Sequence, residues 1–129
     1  MTFMTPSETE VAGSETSHTP LHFGTIILAA FPFTNQTRSK QRPAVVISNV
    51  AYSITRPDVI LMPVTSQLRA SANLMEVWID DWRGAGLLKP SAIKPVIATL
   101  EQSLVLKVLG HLSEIDQQNL RTIIHALIT

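Results

Sequence analysis

Short apolar runs separated by polar or turn-forming stretches recur along the chain, at the length typical of buried β-strands. The first run is GTIILAAF, residues 24–31, and the polar residues after it predict a loop. The second is RPAVVIS, residues 42–48, which is rich in β-branched side chains. Because Pro43 cannot donate a ladder hydrogen bond, we expect Arg42 and Pro43 at a strand start or edge. Further strands are predicted at 58–64, 74–79, 91–100 and 104–109, with an irregular connection over 80–90.

The C-terminal segment has the period of a helix instead. Ser113 and Asp116 form an S-x-x-D pattern typical of a helix start, although Asp is shorter than the usual Glu. The apolar side chains that follow are predicted to share one side of that helix: Ile115, Leu120, Ile123, Ile124, Leu127 and Ile128. Short strands followed by an amphipathic helix predict a mainly β fold with α (α+β), a small antiparallel barrel with the helix packed on it.

Charge is unevenly distributed along the 129 residues, although 10 Lys and Arg balance 10 Asp and Glu. Residues 1–20 contain Glu8, Glu10 and Glu15, no Lys or Arg, and few bulky apolar side chains. Such a segment cannot bury enough surface to offset its ordering entropy, so we expect an acidic, polar, mobile tail. The predicted folded domain, residues 21–129, then carries 10 basic and 7 acidic side chains, a net charge of +3.

Composition excludes several classes of function. The chain has no Cys, which removes disulfides, thiolate chemistry and Cys-ligated metals. No apolar run approaches the roughly 20 residues that span a bilayer, and no secretory signal begins the chain. We therefore expect a soluble, cytoplasmic protein with no membrane partner. Pro20 interrupts the His18 and His22 spacing, so a helical metal pair is not expected there, and no metal site is predicted.

Three stretches in fixed order and spacing carry a resemblance to a known family: GTIILAAFPFT, KQRPAVVIS and MPVTSQ. Together with GLLKPSAIKPVIATLEQSLVLKVLGHLS they resemble the MazF/PemK family, the ribonuclease toxins of type II toxin–antitoxin modules. The resemblance covers residues 23–129 without large gaps. It implies an SH3-like/CcdB-type barrel that forms a homodimer and cleaves single-stranded RNA without a metal or cofactor. It also implies a cognate antitoxin whose extended tail blocks the RNA groove.

The resemblance implies three catalytic residues. Metal-free cleavage needs an activated ribose 2′-hydroxyl, a stabilised phosphorane and a protonated 5′-oxygen, and it leaves a 2′,3′-cyclic phosphate. Arg42 matches the family's principal catalytic residue, and its guanidinium can donate two parallel bonds to phosphate oxygens. Thr65 matches the family's catalytic Thr, and Ser66 beside it can also donate to phosphate. The alternative is a strand-edge ion pair for Arg42 and local backbone bonds for the two hydroxyls.

Further residues are expected to bind RNA by the same resemblance. Gln67 can contact a base edge or the backbone, and Lys94 agrees with the PemK-like branch. The loop that flanks the RNA groove in the family supplies the remaining candidates, of which the two cations can bind phosphate: Thr34, Arg38 and Lys40. A solvated polar loop is the alternative for these positions.

The chain also departs from the family pattern. Several members place an acidic residue followed by Gln ahead of R-T-I-D, and residues 95–101 lack that pair. The second acid or base group is therefore unidentified. This leaves open a non-catalytic protein on the same barrel, either a gyrase-poison-like inhibitor or a decayed paralogue that titrates an antitoxin. Trp78 and Trp82 can stack on bases, but a place in the core or a dimer interface is the more ordinary reading for both.

Overall fold

The structure, a computed structural model, describes residues 20–31, 40–68 and 75–129. These ranges contain seven strands: β1 (Thr25–Phe31), β2 (Lys40–Val46), β3 (Asp58–Thr65), β4 (Val77–Trp78), β5 (Ala92–Ile93), β6 (Ala98–Glu101) and β7 (Val105–His111). They also contain the helices α1 (Val50–Thr55) and α2 (Glu114–Ile128), and a 3-10 turn at Gln102–Leu104. The predicted tail lies outside the described residues, apart from residue 20. No helix in these ranges is long and apolar enough to cross a membrane.

The strands form one antiparallel sheet in the order β4-β5-β3-β2-β1-β7, with β6 paired to β3. The predicted mainly β fold with a C-terminal helix is confirmed. Among the described residues, however, the outer strands β4 and β7 do not pair, so hydrogen bonding does not close the sheet. Instead, the connection after β4 brings Gly86 against the carbonyl of Leu109 in β7. Gly86 has a φ of +87°, and a Cβ there would collide with that carbonyl, which is why this position needs glycine.

Both faces of the central strands are buried, which explains their unbroken apolar runs. Side chains on a strand point alternately to the two faces. The helix-side cluster lies under α2 and contains Ile26, Val45, Met62, Val64, Val77, Ile79, Ala85, Leu87, Ile93, Leu112 and Leu120. The far-face cluster lies on the opposite side of the sheet and contains Leu21, Ile27, Ala29, Ala44, Val46, Val59, Leu61 and Leu100.

Helix α2 begins as predicted, because the Ser113 hydroxyl accepts a hydrogen bond from the Asp116 backbone N–H at 3.2 Å. Its apolar side is narrower than predicted. Leu120 is fully buried, whereas Ile115 and Ile128 are 65% and 66% exposed. The helix therefore packs on the sheet through its middle and C-terminal turns, where Leu120 is joined by Ile123, Ile124 and Leu127.

Asp116 has a further role that its position in the sequence did not indicate. Its side chain is fully buried and accepts hydrogen bonds from the backbone N–H groups of Asp80 and Asp81, at 2.8 and 2.9 Å. The carboxylate thus joins the start of α2 to the turn that follows β4.

Several predicted boundaries are wrong. Strand β2 begins two residues earlier than predicted and ends at Val46, and in the described part of the strand predicted over 74–79 the strand is reduced to β4. The run 91–100 is split into β5 and β6, because the chain turns at Pro95, where the Val96 N–H donates to the Lys94 carbonyl. Helix α1 was not predicted, although Asn49 caps it by accepting a hydrogen bond from the backbone of residue 52.

Helix α1 is tied to β3 by a side-chain network. The Tyr52 hydroxyl donates to the Asp58 carboxylate at 2.8 Å, and Arg56 contacts the other carboxylate oxygen. This hydrogen bond lowers the pKa of Asp58 and raises the pKa of Tyr52. The network lies at the opposite end of β3 from Thr65, so it holds the fold rather than the candidate site.

Candidate active site

A groove opens where β2 and β3 stop pairing. The two strands are paired from Val46 opposite Leu61 to Ala44 opposite Pro63, and the pairing goes no further. Pro43 lies inside β2, an inner strand, and not at a strand start or sheet edge as predicted, but on this side it has no partner among the described residues, since it pairs only with β1. The space beyond has a volume of about 350 Å³ and is lined by Phe31, Arg42, Pro63, Val64, Thr65, Gln67 and Lys94. We call it the Arg42 groove.

Arg42 reaches this groove because of strand alternation. Ala44 and Val46 of β2 are buried in the far-face cluster, so Arg42 points to the same face. Continuing the register of β2 and β3 by two residues brings Arg42 level with Thr65. Both therefore face the same side of the sheet, and they line the groove from opposite strands. Arg42 itself is exposed, so its guanidinium is available to an anion in the groove.

Thr65 is the last residue of β3, and a local hydrogen bond holds its side chain. Its hydroxyl oxygen accepts the backbone N–H of Gln67 at 3.0 Å. A hydroxyl that accepts in this way still has its own proton to donate. Thr65 can therefore act as a fixed donor to a phosphate oxygen, and the same turn places the Gln67 side chain at the groove.

Lys94 enters the groove from the other side of β3. Its backbone N–H donates to the Pro63 carbonyl at 2.9 Å, which continues the pairing of β3 with β5. Because Ile93 before it is buried in the helix-side cluster, Lys94 points to the far face, as Arg42 does. Two cations thus lie on opposite sides of the end of β3, with the Thr65 hydroxyl between them.

The remaining predicted residues are placed differently. Ser66 is exposed and does not line the groove, and Lys40 is exposed two residues before Arg42 without lining it. The candidates Thr34 and Arg38 lie outside the described residues. Sequence reasoning missed Phe31, Pro63 and Val64 as lining residues, although all three belong to the stretches that carry the resemblance.

The groove has the electrostatics of an anion site. Among the described residues that line it, Arg42 and Lys94 are the charged ones, and none carries a carboxylate or an imidazole. An extended segment with regularly spaced negative charge fits such a site, and the neutral donors Thr65 and Gln67 supply directed hydrogen bonds. Across residues 20–31, 40–68 and 75–129, no three His, Asp or Glu side chains lie close enough to hold a metal ion.

The comparisons with known proteins concern the family and the fold of the chain. A family model described as "PemK-like, MazF-like toxin of type II toxin-antitoxin system" matches residues 22–128. Among curated protein sequences, none matches the chain significantly.

Solved structures are similar in fold. The toxin MazF-mt6 of Mycobacterium tuberculosis has a TM-score of 0.65 at 21% identity, over 80% of this chain and 94% of that chain. A mycobacterial endoribonuclease in complex with its cognate antitoxin has a TM-score of 0.68 at 17% identity, over 85% and 95%. A MazE–MazF complex from Deinococcus radiodurans has a TM-score of 0.65 at 22% identity, over 84% and 95%. At these identities the likeness to solved structures is one of fold.

Proposed function

The chain belongs to the PemK-like, MazF-like toxin family of type II toxin–antitoxin systems, and from this premise we propose that it is an endoribonuclease that cleaves single-stranded RNA without a metal ion. The observation that carries the proposal is the Arg42 groove, which is lined by Arg42 of β2, Thr65 of β3, Gln67 of the turn after β3 and Lys94 directly after β5. The similar mycobacterial protein is itself described as an endoribonuclease, which supports the same activity here.

In the proposed mechanism the ribose 2′-hydroxyl oxygen attacks phosphorus and the bond to the 5′-oxygen breaks, leaving a 2′,3′-cyclic phosphate and a 5′-hydroxyl end. Arg42 holds the non-bridging oxygens, whose negative charge increases in the phosphorane. The Thr65 hydroxyl donates to one of these oxygens, and Lys94 adds positive charge from the other side. Arg42 does not act as the base, because a guanidinium scarcely deprotonates in proteins. Water takes the proton from the 2′-hydroxyl and returns one to the 5′-oxygen.

The proposal includes the partners that the family resemblance implies. The solved complexes pair similar toxins with antitoxins, and we extend this to a cognate antitoxin that covers the Arg42 groove of this chain. A homodimer of this chain, acting in the cytoplasm, completes the proposal. An antitoxin segment that binds the groove would need acidic or other anionic groups to complement Arg42 and Lys94.

One observation favours a second function. The described lining of the groove lacks a carboxylate or imidazole that could transfer protons. A groove of this kind can bind an anionic strand or an antitoxin without cutting RNA, as an inhibitor or an antitoxin-titrating paralogue would. The two functions differ in whether RNA is cleaved at low protein concentration.

The test is cleavage of single-stranded RNA in excess EDTA, with the ends analysed for cyclic phosphate. We expect the wild-type protein to cut and Arg42→Ala to lose at least about 100-fold in rate, the size typical of removing one preorganised charge-stabilising donor. Lys107→Ala is the matched control, because Lys107 is an exposed cation on β7 outside the groove. Equal rates for Arg42→Ala and Lys107→Ala would refute the assignment of Arg42. Absence of cleavage by the wild-type protein would favour the binding function.

A further inference from the structure

Thr65 lies in a row of side chains that crosses three strands. It pairs with Ala92 of β5, and Ala92 pairs with Trp78 of β4. Side chains that are directly opposite in antiparallel strands project from the same face. The adjacent row, Val64–Ile93–Val77, is buried in the helix-side cluster. The side chains of the row from Thr65 to Trp78 therefore project toward the far face of the sheet, on which the Arg42 groove opens.

Trp78 stands at the end of this row on the sheet edge. Two strand spacings separate it from Thr65, a backbone distance of about 10 Å. Its side chain is 55% exposed, which is unusual because a tryptophan has a large apolar surface that is normally buried. It borders an open cleft with Asp80, Pro90 and Ile115.

The second tryptophan lines the same cleft but is less exposed. Trp82 is half-buried and packs against the helix-side cluster, and its ring is covered by the Arg83 guanidinium at 4.7 Å. The chain contains two Trp residues in all. Of these, Trp78 is the more exposed, and Trp82 serves as its internal control.

We propose that Trp78 is a stacking platform for a base of the RNA strand held in the Arg42 groove, a few ångströms beyond the nucleotides at the scissile phosphate. The inference rests on the proposed RNA substrate and names the residue that grips a neighbouring nucleotide. Single-stranded RNA is recognised largely by bases that stack on aromatic side chains. The charges determine which part of the RNA, phosphate or base, lies at each end of the row. The phosphates follow Arg42 and Lys94, whereas the Asp80 carboxylate beside Trp78 repels phosphate, so this end of the row takes a base.

The test uses a 2′-O-methyl oligoribonucleotide, which cannot be cleaved by 2′-hydroxyl attack and therefore measures binding alone. In Trp82→Phe protein, Trp78 is the sole tryptophan, and we expect its fluorescence to be quenched as the oligonucleotide binds. Trp78→Ala should raise the Kd for this probe about 5- to 150-fold, and Trp78→Phe should retain most of the affinity. An oligonucleotide with an abasic residue at the stacked position should lose the same factor with wild-type protein and nothing further with Trp78→Ala.

Two results would overturn the assignment. One is an unchanged Kd for Trp78→Ala protein that unfolds at the wild-type denaturant concentration. The other is a change in self-association or antitoxin affinity without a change in RNA affinity, which would make Trp78 a protein contact.

Cleavage of unmodified RNA by Trp78→Ala at saturating substrate separates this inference from the proposed activity. A normal kcat with a raised KM supports the platform. If the wild-type protein cuts no RNA, quenching of Trp78 fluorescence by the probe in Trp82→Phe protein still supports the platform and refutes the nuclease.

Discussion

Removing the buried carboxylate of Asp116 is expected to loosen the junction between α2 and the turn after β4. The carboxylate accepts three hydrogen bonds, from the Asp80 and Asp81 backbone N–H groups and from the Ser113 hydroxyl at 3.1 Å. The Asp116 side chain is fully shielded from solvent, so water cannot replace all three partners in a truncated variant. The perturbation we consider first is therefore Asp116→Ala.

The magnitude follows from the number and kind of these bonds. A hydrogen bond to a charged group contributes about 1.5–3 kcal/mol, but three of them are not additive, because the exposed turn at Asp80 and Asp81 recovers some water contacts. Removing the acceptor leaves donors without a partner, which costs about 1–3 kcal/mol for a single buried donor, and we expect a loss of at least this size for Asp116→Ala. Asp116→Asn should lose less unfolding free energy than Asp116→Ala, because its amide keeps one acceptor oxygen. It should still be less stable than the wild type, because its NH₂ group faces a backbone donor.

The assay is urea unfolding of the full chain, followed by tryptophan fluorescence, with the free energy of unfolding taken from linear extrapolation. Glu114→Ala is the matched control, since Glu114 is an exposed acid in the same first turn of α2 and should change stability by about 0.3–1 kcal/mol. We expect the order wild type, Glu114→Ala, Asp116→Asn and Asp116→Ala, from most to least stable. A loss below about 1 kcal/mol for Asp116→Ala would refute the reasoning, because it would mean that the three donors find other partners.

Three further predictions concern backbone geometry, pH and salt. Gly86→Ala should lose at least about 1–2 kcal/mol of unfolding free energy, from the positive φ alone and more from the Leu109 carbonyl, as urea titration would show. Tyr52→Phe should be less stable than wild type near neutral pH. Since the hydrogen bond lowers the pKa of Asp58 and raises that of Tyr52, the difference should vanish below the folded-state pKa of Asp58 and also above that of Tyr52; equal pH–stability curves for the two proteins would contradict this. Lys94→Ala should reduce the slope of log K against log salt for single-stranded RNA by about 0.7, and an unchanged slope would place Lys94 away from phosphate.

The sequence predicted the elements whose signals are local. The runs that became β1 and β3 are apolar because both faces of the sheet are buried, and α2 is identified by its start signal at Ser113. Elements with a weak or overlooked local signal were lost or misplaced. The strand predicted over 91–100 is interrupted at Pro95, and α1 is too short for its period to be visible.

The candidate site shows the same division. Arg42, Thr65, Gln67 and Lys94 could be named by resemblance alone, because nothing local says that residues this far apart along the chain meet. Their meeting depends on the register of β3 with two neighbours, a property of the whole sheet. Strand propensity does not determine register. If one strand slips by one residue against its neighbour, every local preference is unchanged, but each side chain turns to the other face of the sheet.

That dependence on register explains how a chain of zero net charge can have an anion site. Strand alternation sends Arg42 and Lys94 to one face, while Val45 farther along β2 and Ile93 directly before Lys94 fill the core on the other. Because charges separated by more than about 8–10 Å of saline are largely screened, a phosphate held in the groove responds to these two cations and hardly to acidic residues farther away than that. The same alternation sends Trp78 outward while Val77 is buried. A single-residue slip of β4 against β5 would therefore bury the tryptophan without altering the overall charge or composition, and the base platform would be lost while the phosphate contacts remained.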